Sequence, residues 1–190
     1  MDTKTLLQDG DIQTEQGELV FDPYNSNNNE ITESEVCDIL KKYGVPDKVH
    51  NINLYKRAFV HKSYCKRPKL ENEENGVIIT DRPKECMTLK SKSNERLEFL
   101  GDGVLECITK YYLYRRFPKE NEGFMTEKKI ALVKNEHIGK LAYEMGLNKW
   151  ANLAVTPPNP PPFAGDTGES TLFGHFKQMP VVHPSICLLR

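Results

Sequence analysis

The chain has 190 residues, 38% of them apolar and 28% charged, with a formal net charge of −1. That is enough for one ordinary domain, too few for two, and lean for a core that draws on every segment. No run approaches the ~18 apolar residues of a transmembrane helix, and Met1-Asp2-Thr3-Lys4 lacks the basic and apolar regions of a secretory signal. Five cysteines, at 37, 65, 86, 107 and 187, are an odd number without paired metal-ligand spacing. They are expected to be free thiols in a reducing compartment, cytoplasmic or nuclear, with the protein neither secreted nor membrane-bound.

The near-zero net charge hides segregation. Residues 1–38 carry a balance of −9, residues 39–93 of +7, residues 94–109 of −3, and residues 110–149 of +4. A short acidic block thus lies between two basic ones, a pattern suited to a metal-dependent protein acting on polyanions. Ordinary solvated charge gives the same tally, so the pattern needs support from spacing.

Residues 1–31 are acidic and run into Asn25-Ser26-Asn27-Asn28-Asn29, so they are expected to be a disordered N-terminal segment. Thr32 with Glu35 makes a capping box. The helix it opens turns Val36, Ile39 and Leu40 inward and stops at Gly44. A second helix is expected from Asn53 to about Lys62. The polar stretch 65–93, broken by Pro68, Gly76 and Pro83, is long for a connection inside one domain and reads as an insertion. Within it, Val77-Ile78-Ile79-Thr80 suits a short strand.

The strongest helical pattern runs from Asn94 to about Arg116, with Leu97, Leu100, Val104, Leu105, Ile108, Tyr111 and Tyr112 as its apolar stripe, ended by Pro118. Two further helices are expected near Thr126–Val133 and Asn135–Met145, the latter capped by Asn135 and stopped by Gly146. Five helices without a convincing strand pattern make the fold class all-α. Residues 32–155 would be the domain. Residues 156–190 form an atypical tail, in which Pro160-Pro161-Pro162 excludes helix interior.

Glu95, Glu98, Asp102 and Glu106 sit at i, i+3, i+7 and i+11, which on a 3.6-residue helix is one line. Like charges at these separations cost a helix about 0.2–0.5 kcal/mol per pair. Gly101 and Gly103 add about 1 kcal/mol each relative to Ala. A divalent cation against the line would relieve the repulsion, and hard oxygen ligands suit Mg²⁺ or Mn²⁺. The glycines would make sense if another backbone or a second copy of the helix packs closely there. A solvated acidic face is the competing reading.

The segment Asn94-Glu95-Arg96-Leu97-Glu98-Phe99-Leu100-Gly101-Asp102 closely resembles the signature of ribonuclease III endonuclease domains. Supporting matches follow in order: Ala58-Phe59-Val60-His61-Lys62-Ser63-Tyr64 before it, then Tyr112 to Pro118 with Glu122-Gly123, then Ala131 to Glu136. The resemblance covers about residues 34–150 without the 65–93 insertion. It implies an all-α, homodimeric domain that cleaves double-stranded RNA with Mg²⁺ or Mn²⁺, in RNA processing. By the same resemblance Glu98 and Asp102 are the catalytic, metal-holding carboxylates. Glu95 is an acidic position linked to RNA or dimer contacts rather than ligation.

The family's second acidic pair, Asp and Glu three apart on a later helix, has one candidate here: Asp166 and Glu169. The spacing is right, but Pro157 to Pro162 precede it and Gly168 interrupts it. The tail therefore reads as unrelated to the family, as a truncation or frame change would leave it, and the chain alone is expected to be inactive or impaired. The family's usual C-terminal double-stranded RNA-binding domain is not found in the sequence. The alternative to an active nuclease is an inactive dimerisation or double-stranded RNA-binding module of the same fold. His61 is expected to be a packed structural histidine and Trp150 a core-edge residue.

Overall fold

Thr32 begins the first helix as its chemistry demands. Its hydroxyl accepts from the Glu35 amide at 3.3 Å, while the Glu35 carboxylate accepts from the Thr32 amide at 2.8 Å. The resulting helix α1, Glu33–Lys42, ends where Gly44 takes a left-handed φ of +69°. In the computed structural model, residues 11–13, 16–45, 48–68, 73–74 and 76–154 are described. The remaining helices are α2 (Ile52–Ala58), α3 (Glu95–Arg116), α4 (Glu122–Val133) and α5 (Asn135–Glu144). Single 3-10 turns occupy Lys62–Tyr64 and Leu147–Trp150. The mainly helical reading holds.

The core gathers Val36 and Leu40 of α1, Tyr55 of α2, Phe59, Ile31 and Leu147, all nearly inaccessible. Full burial of side chains this size contributes about 1.5–3 kcal/mol each. Ala142 and Met145, at the end of α5, pack against this cluster and anchor the second half of the chain to the first. Trp150 sits at the core edge, its ring 6.1 Å from that of Phe59 and steeply inclined to it, as expected.

Several expectations need correction. Residues 16–31 are not disordered: Phe21, Pro23, Asn28 and Ile31 are buried. Strands β1 (Asp11–Gln13) and β2 (Leu19–Phe21) pair antiparallel, and β2 pairs in parallel with β3 (Ile78–Ile79) from the insertion. The all-α domain thus carries a small three-stranded sheet among the described residues. The Asn-rich stretch is held by long-range bonds that no local pattern announces. The Asn28 side chain donates to the Leu153 carbonyl at 2.8 Å and accepts from the Leu153 amide at 3.1 Å. Asn152, itself buried, donates its side-chain amide to the Asn29 carbonyl at 2.9 Å.

Helix α2 is shorter than expected because Val60 leaves it to bridge Asn152. The Asn152 amide donates to the Phe59 carbonyl at 2.8 Å, and the His61 amide donates to the Asn152 carbonyl at 3.1 Å. Helix α4 starts a turn earlier than expected, because the Asn121 side chain caps it by accepting from the Phe124 amide. Helix α5 is preceded by Lys134, so Asn135 is its first residue rather than its cap. The expected apolar stripe of α3 holds only in part, with Leu97, Val104, Leu105 and Ile108 half-buried. Gly101, Thr109 and Leu113 are its buried residues, while Leu100, Tyr111 and Tyr112 are exposed. The tail from residue 155, with Asp166 and Glu169, lies outside the described residues.

Candidate active site

The start of α3 is fixed from three sides. The Asn94 amide donates to the Val60 carbonyl at 2.8 Å, and the Asn94 carbonyl accepts from the amides of Leu97 at 2.7 Å and Glu98 at 2.9 Å. Arg57 of α2 donates its Nε to the Ser93 carbonyl at 2.8 Å. The Ser93 hydroxyl donates to the Glu95 carboxylate at 2.9 Å. Arg57, Ser93 and Asn94 therefore set the position of the acidic line, and sequence reasoning assigned none of the first two this task. The upstream His61 is buried, with Nδ1 2.8 Å from the Ser63 hydroxyl and accepting from the Ser63 amide. It is the structural histidine expected.

Helix α3 is unbroken from Glu95 to Arg116, so Glu95, Glu98, Asp102 and Glu106 do lie along one helix at the spacing read from the sequence. Their environments divide them. Glu106 is neutralised: Lys110, one turn on, and Lys129 of α4 each approach its Oε1 to 3.0 Å. Those two lysines hold its carboxyl below the usual glutamate range. Glu98 has the opposite environment. Burial, then the charges of Glu95 and Asp102, push its carboxyl above the usual range. Among the described residues no cation is paired with Glu98 or Asp102. The helix dipole favours Glu95 and Glu98 in the first turn, but Asp102 lies beyond its reach.

A partly buried carboxylate with two carboxylate neighbours and no paired cation is a centre of uncompensated negative charge. Its donors are hard oxygens, which suit Mg²⁺ or Mn²⁺. By donor type and by their i, i+4 spacing on one helix, Glu98 and Asp102 are the residues that would hold such an ion. No group of three or more metal-ligating side chains occurs among the described residues.

The two glycines differ. Gly101 is buried in α3, whereas a Cβ built on Gly103 would meet nothing within 4 Å. Around Gly103 the helix is bare: Phe99 is 86% exposed, Leu100 43% and Tyr111 63%. No helix among the described residues is long and apolar enough to cross a membrane.

Comparison with known proteins places this arrangement. Residues 95–167 match the family model of the ribonuclease III domain, a match that includes Asp166 and ends before Glu169. Ribonuclease 3 of Azobacteroides pseudotrichonymphae is 33% identical over 132 residues, covering 70% of this chain and 43% of that protein. Ribonuclease 3 of Bacteroides thetaiotaomicron is 40% identical over 100 residues, 53% of this chain and 26% of that protein. The chain thus spans less than half the length of these curated relatives. The nuclease domain of ribonuclease III from Campylobacter jejuni, in a structure concerned with flexibility in a region involved in dimer formation, shares the fold. Its TM-score is 0.50 at 24% identity, over 79% of this chain and 82% of that one. Signature helix, order of elements and relatives agree, and the chain belongs to the ribonuclease III family.

Proposed function

We propose that the chain is the nuclease domain of an endoribonuclease that hydrolyses phosphodiester bonds of double-stranded RNA in RNA processing, working as a homodimer with Mg²⁺ or Mn²⁺. The observation that carries this reading is the division of the acidic line. Glu106 is neutralised by lysines, while Glu98 keeps an elevated carboxyl pKa beside Glu95 and Asp102.

When bound at Glu98 and Asp102, a divalent cation supplies charge neutralisation at the scissile phosphate and lowers the cost of generating a nucleophile from water. Glu98 and Asp102 bind and orient it from adjacent turns of a rigid helix. Glu95, which accepts from the Ser93 hydroxyl, adds negative charge at the edge of the site and on this reading contacts substrate or partner rather than the ion. Asp166 and Glu169 remain candidates for the second acidic pair.

Self-association is supported by Phe99, Leu100 and the open surface over Gly103. Exposed apolar area of this kind on a helix face marks a contact surface. Light scattering across a dilution series is expected to show a dimer, and a monomer at all concentrations would remove this part of the reading.

The direct test of the activity is cleavage of a long RNA duplex in Mg²⁺ or Mn²⁺. Asp102→Asn is expected to lower the rate by about two to three orders of magnitude, the usual cost of losing one element of transition-state charge stabilisation. Binding and self-association without any cleavage would favour the inactive module.

A further inference from the structure

The lysines and arginines of this chain divide by position. Lys56 and Lys90 grip Glu30, Lys110 and Lys129 grip Glu106, and Lys134 and Lys140 grip Glu136. Another group surrounds the start of α3, where the insertion closes on itself. There the backbone of Cys65 bridges Lys90 in parallel: the Lys66 amide donates to the Lys90 carbonyl at 2.9 Å, and the Lys90 amide to the Tyr64 carbonyl at 3.1 Å. The buried Tyr64 donates its hydroxyl to the Met87 carbonyl at 2.8 Å. Residues 62–67 and 90–92 hold five cations and no acid.

Two of the five build the framework. The Lys90 ammonium reaches Glu30 at 2.6 Å, and the Arg67 guanidinium lies 4.0 Å from the centroid of the Phe21 ring. With those two engaged, Lys66 and Lys92, which follow the bridged residues on their two segments, are exposed to solvent. No carboxylate among the described residues pairs with either of them. The site of display is close to the acidic line. Lys92 precedes Ser93, whose hydroxyl holds Glu95, and Lys66 follows Cys65, whose thiol is pushed up by burial and by the charge of Glu95.

We infer that the base of the insertion, through Lys66 and Lys92, is a phosphate-contacting surface that seats the backbone of an RNA duplex beside the Glu95 end of the acidic line. The inference rests on the proposed action on double-stranded RNA and adds to it a determinant that the 65–93 insertion brings to the domain. The physical need is plain: the uncompensated carboxylates repel a polyanion, and exposed cations on a hydrogen-bonded backbone beside them offset that repulsion. Because Lys90 and Arg67 engage Glu30 and Phe21, the backbone that carries Lys66 and Lys92 is fixed while their own charges are left unneutralised.

The test is equilibrium binding of an RNA duplex as a function of salt, in Asp102→Asn protein so that no cleavage intervenes. Each phosphate contact contributes about 0.9 to the slope of log affinity against log salt. Lys66→Ala with Lys92→Ala is expected to lower the slope by about 2 and to leave the circular dichroism spectrum unchanged. The comparison triple, Arg115→Ala, Arg116→Ala and Lys119→Ala, removes more charge at the far end of α3, about 33 Å away along 22 residues, and is expected to change the slope less. An unchanged slope in the double variant would overturn the inference. So would an equal or larger fall in the distant triple, which would show a diffuse charge effect. Failure of the nuclease reading is seen separately. If Asp102 protein does not cleave yet the double variant loses its slope, the surface stands and the activity falls. If it cleaves and the slope is unchanged, the activity stands and the surface falls.

Discussion

The two halves of this domain satisfy their apolar and charged groups in different ways. Residues 16–68 close on themselves, with the turn at Leu147–Trp150 and the strand segment at Asn152 tied in. Phe21, Phe59, Tyr55 and Tyr64 are all buried, and Glu30 is bridged by two lysines. Helices α3, α4 and α5 leave Phe99, Tyr111, Tyr114, Ile130, Leu141 and Tyr143 substantially exposed, and no residue of α4 is buried. The same helices carry Glu98, whose carboxyl is raised by burial and then by the charges of Glu95 and Asp102. The first half is organised for stability within one chain. The second leaves apolar and acidic groups open, and on the reading above these meet a cation, a substrate and a second copy. A functional surface is left unsatisfied in the isolated chain, and the cost is borne by the half that is fully packed.

The sharpest way to break this contrast is to truncate one phenylalanine from each half. Phe59→Ala removes a ring 3% exposed and is expected to cost about 3–5 kcal/mol in urea unfolding. Phe99→Ala removes a ring 86% exposed. At dilutions where the chain is monomeric it is expected to change stability by no more than about 0.5 kcal/mol, while weakening self-association. Comparable losses of stability from the two variants would erase the distinction.

A smaller effect separates the paired from the unpaired carboxylate. The hydrogen bonds and charges of Lys56 and Lys90 hold the Glu30 carboxyl below the usual glutamate range. A carboxyl depressed in the folded state contributes stability that is present above its unfolded pKa and is lost as pH falls through the folded value. Glu30→Gln is therefore expected to cost about 1 kcal/mol or less at neutral pH, with the difference from wild type vanishing in acid. Thermal melts at several pH values check it, and a difference that grows on acidification would contradict the pairing.

The smallest shift is expected at Glu98, with the opposite sign. Its carboxyl is raised in the folded state, so the ionised form is a cost at neutral pH that disappears as pH falls through the raised folded value. In chelator, Glu98→Gln is expected to stabilise by a few tenths of a kcal/mol, the scale of like-charge relief on a helix. In Mn²⁺ the wild type is expected to gain more than the variant. Equal Mn²⁺ responses in the two proteins would remove Glu98 as a ligand.

Much of the helical framework was legible because its determinants are local. The capping box at Thr32 and Glu35, the stop at Gly44 and the unbroken helix through Glu95, Glu98 and Asp102 all follow from neighbours within one or two turns. The signature resemblance led to the same carboxylates. The role of Arg57 in holding Ser93 was not legible, because its partner lies 36 residues away. Nor was the separation of Glu106 from its companions, since Lys129 reaches it from α4.

What the amino-acid order determined alone is the helical skeleton and the acidic line, because backbone propensity, capping and a 3.6-residue period act over short distances. Only the tertiary structure decided that residues 16–31 are packed, that α2 stops at Ala58, and which face of α3 is buried. The packing of residues 16–31 hangs on Asn28 and Asn152, whose side chains satisfy backbone groups more than a hundred residues away. An asparagine in a polar run looks like a solvated loop until the buried carbonyl it must answer is brought beside it, and that carbonyl exists as a partner only once the chain has folded.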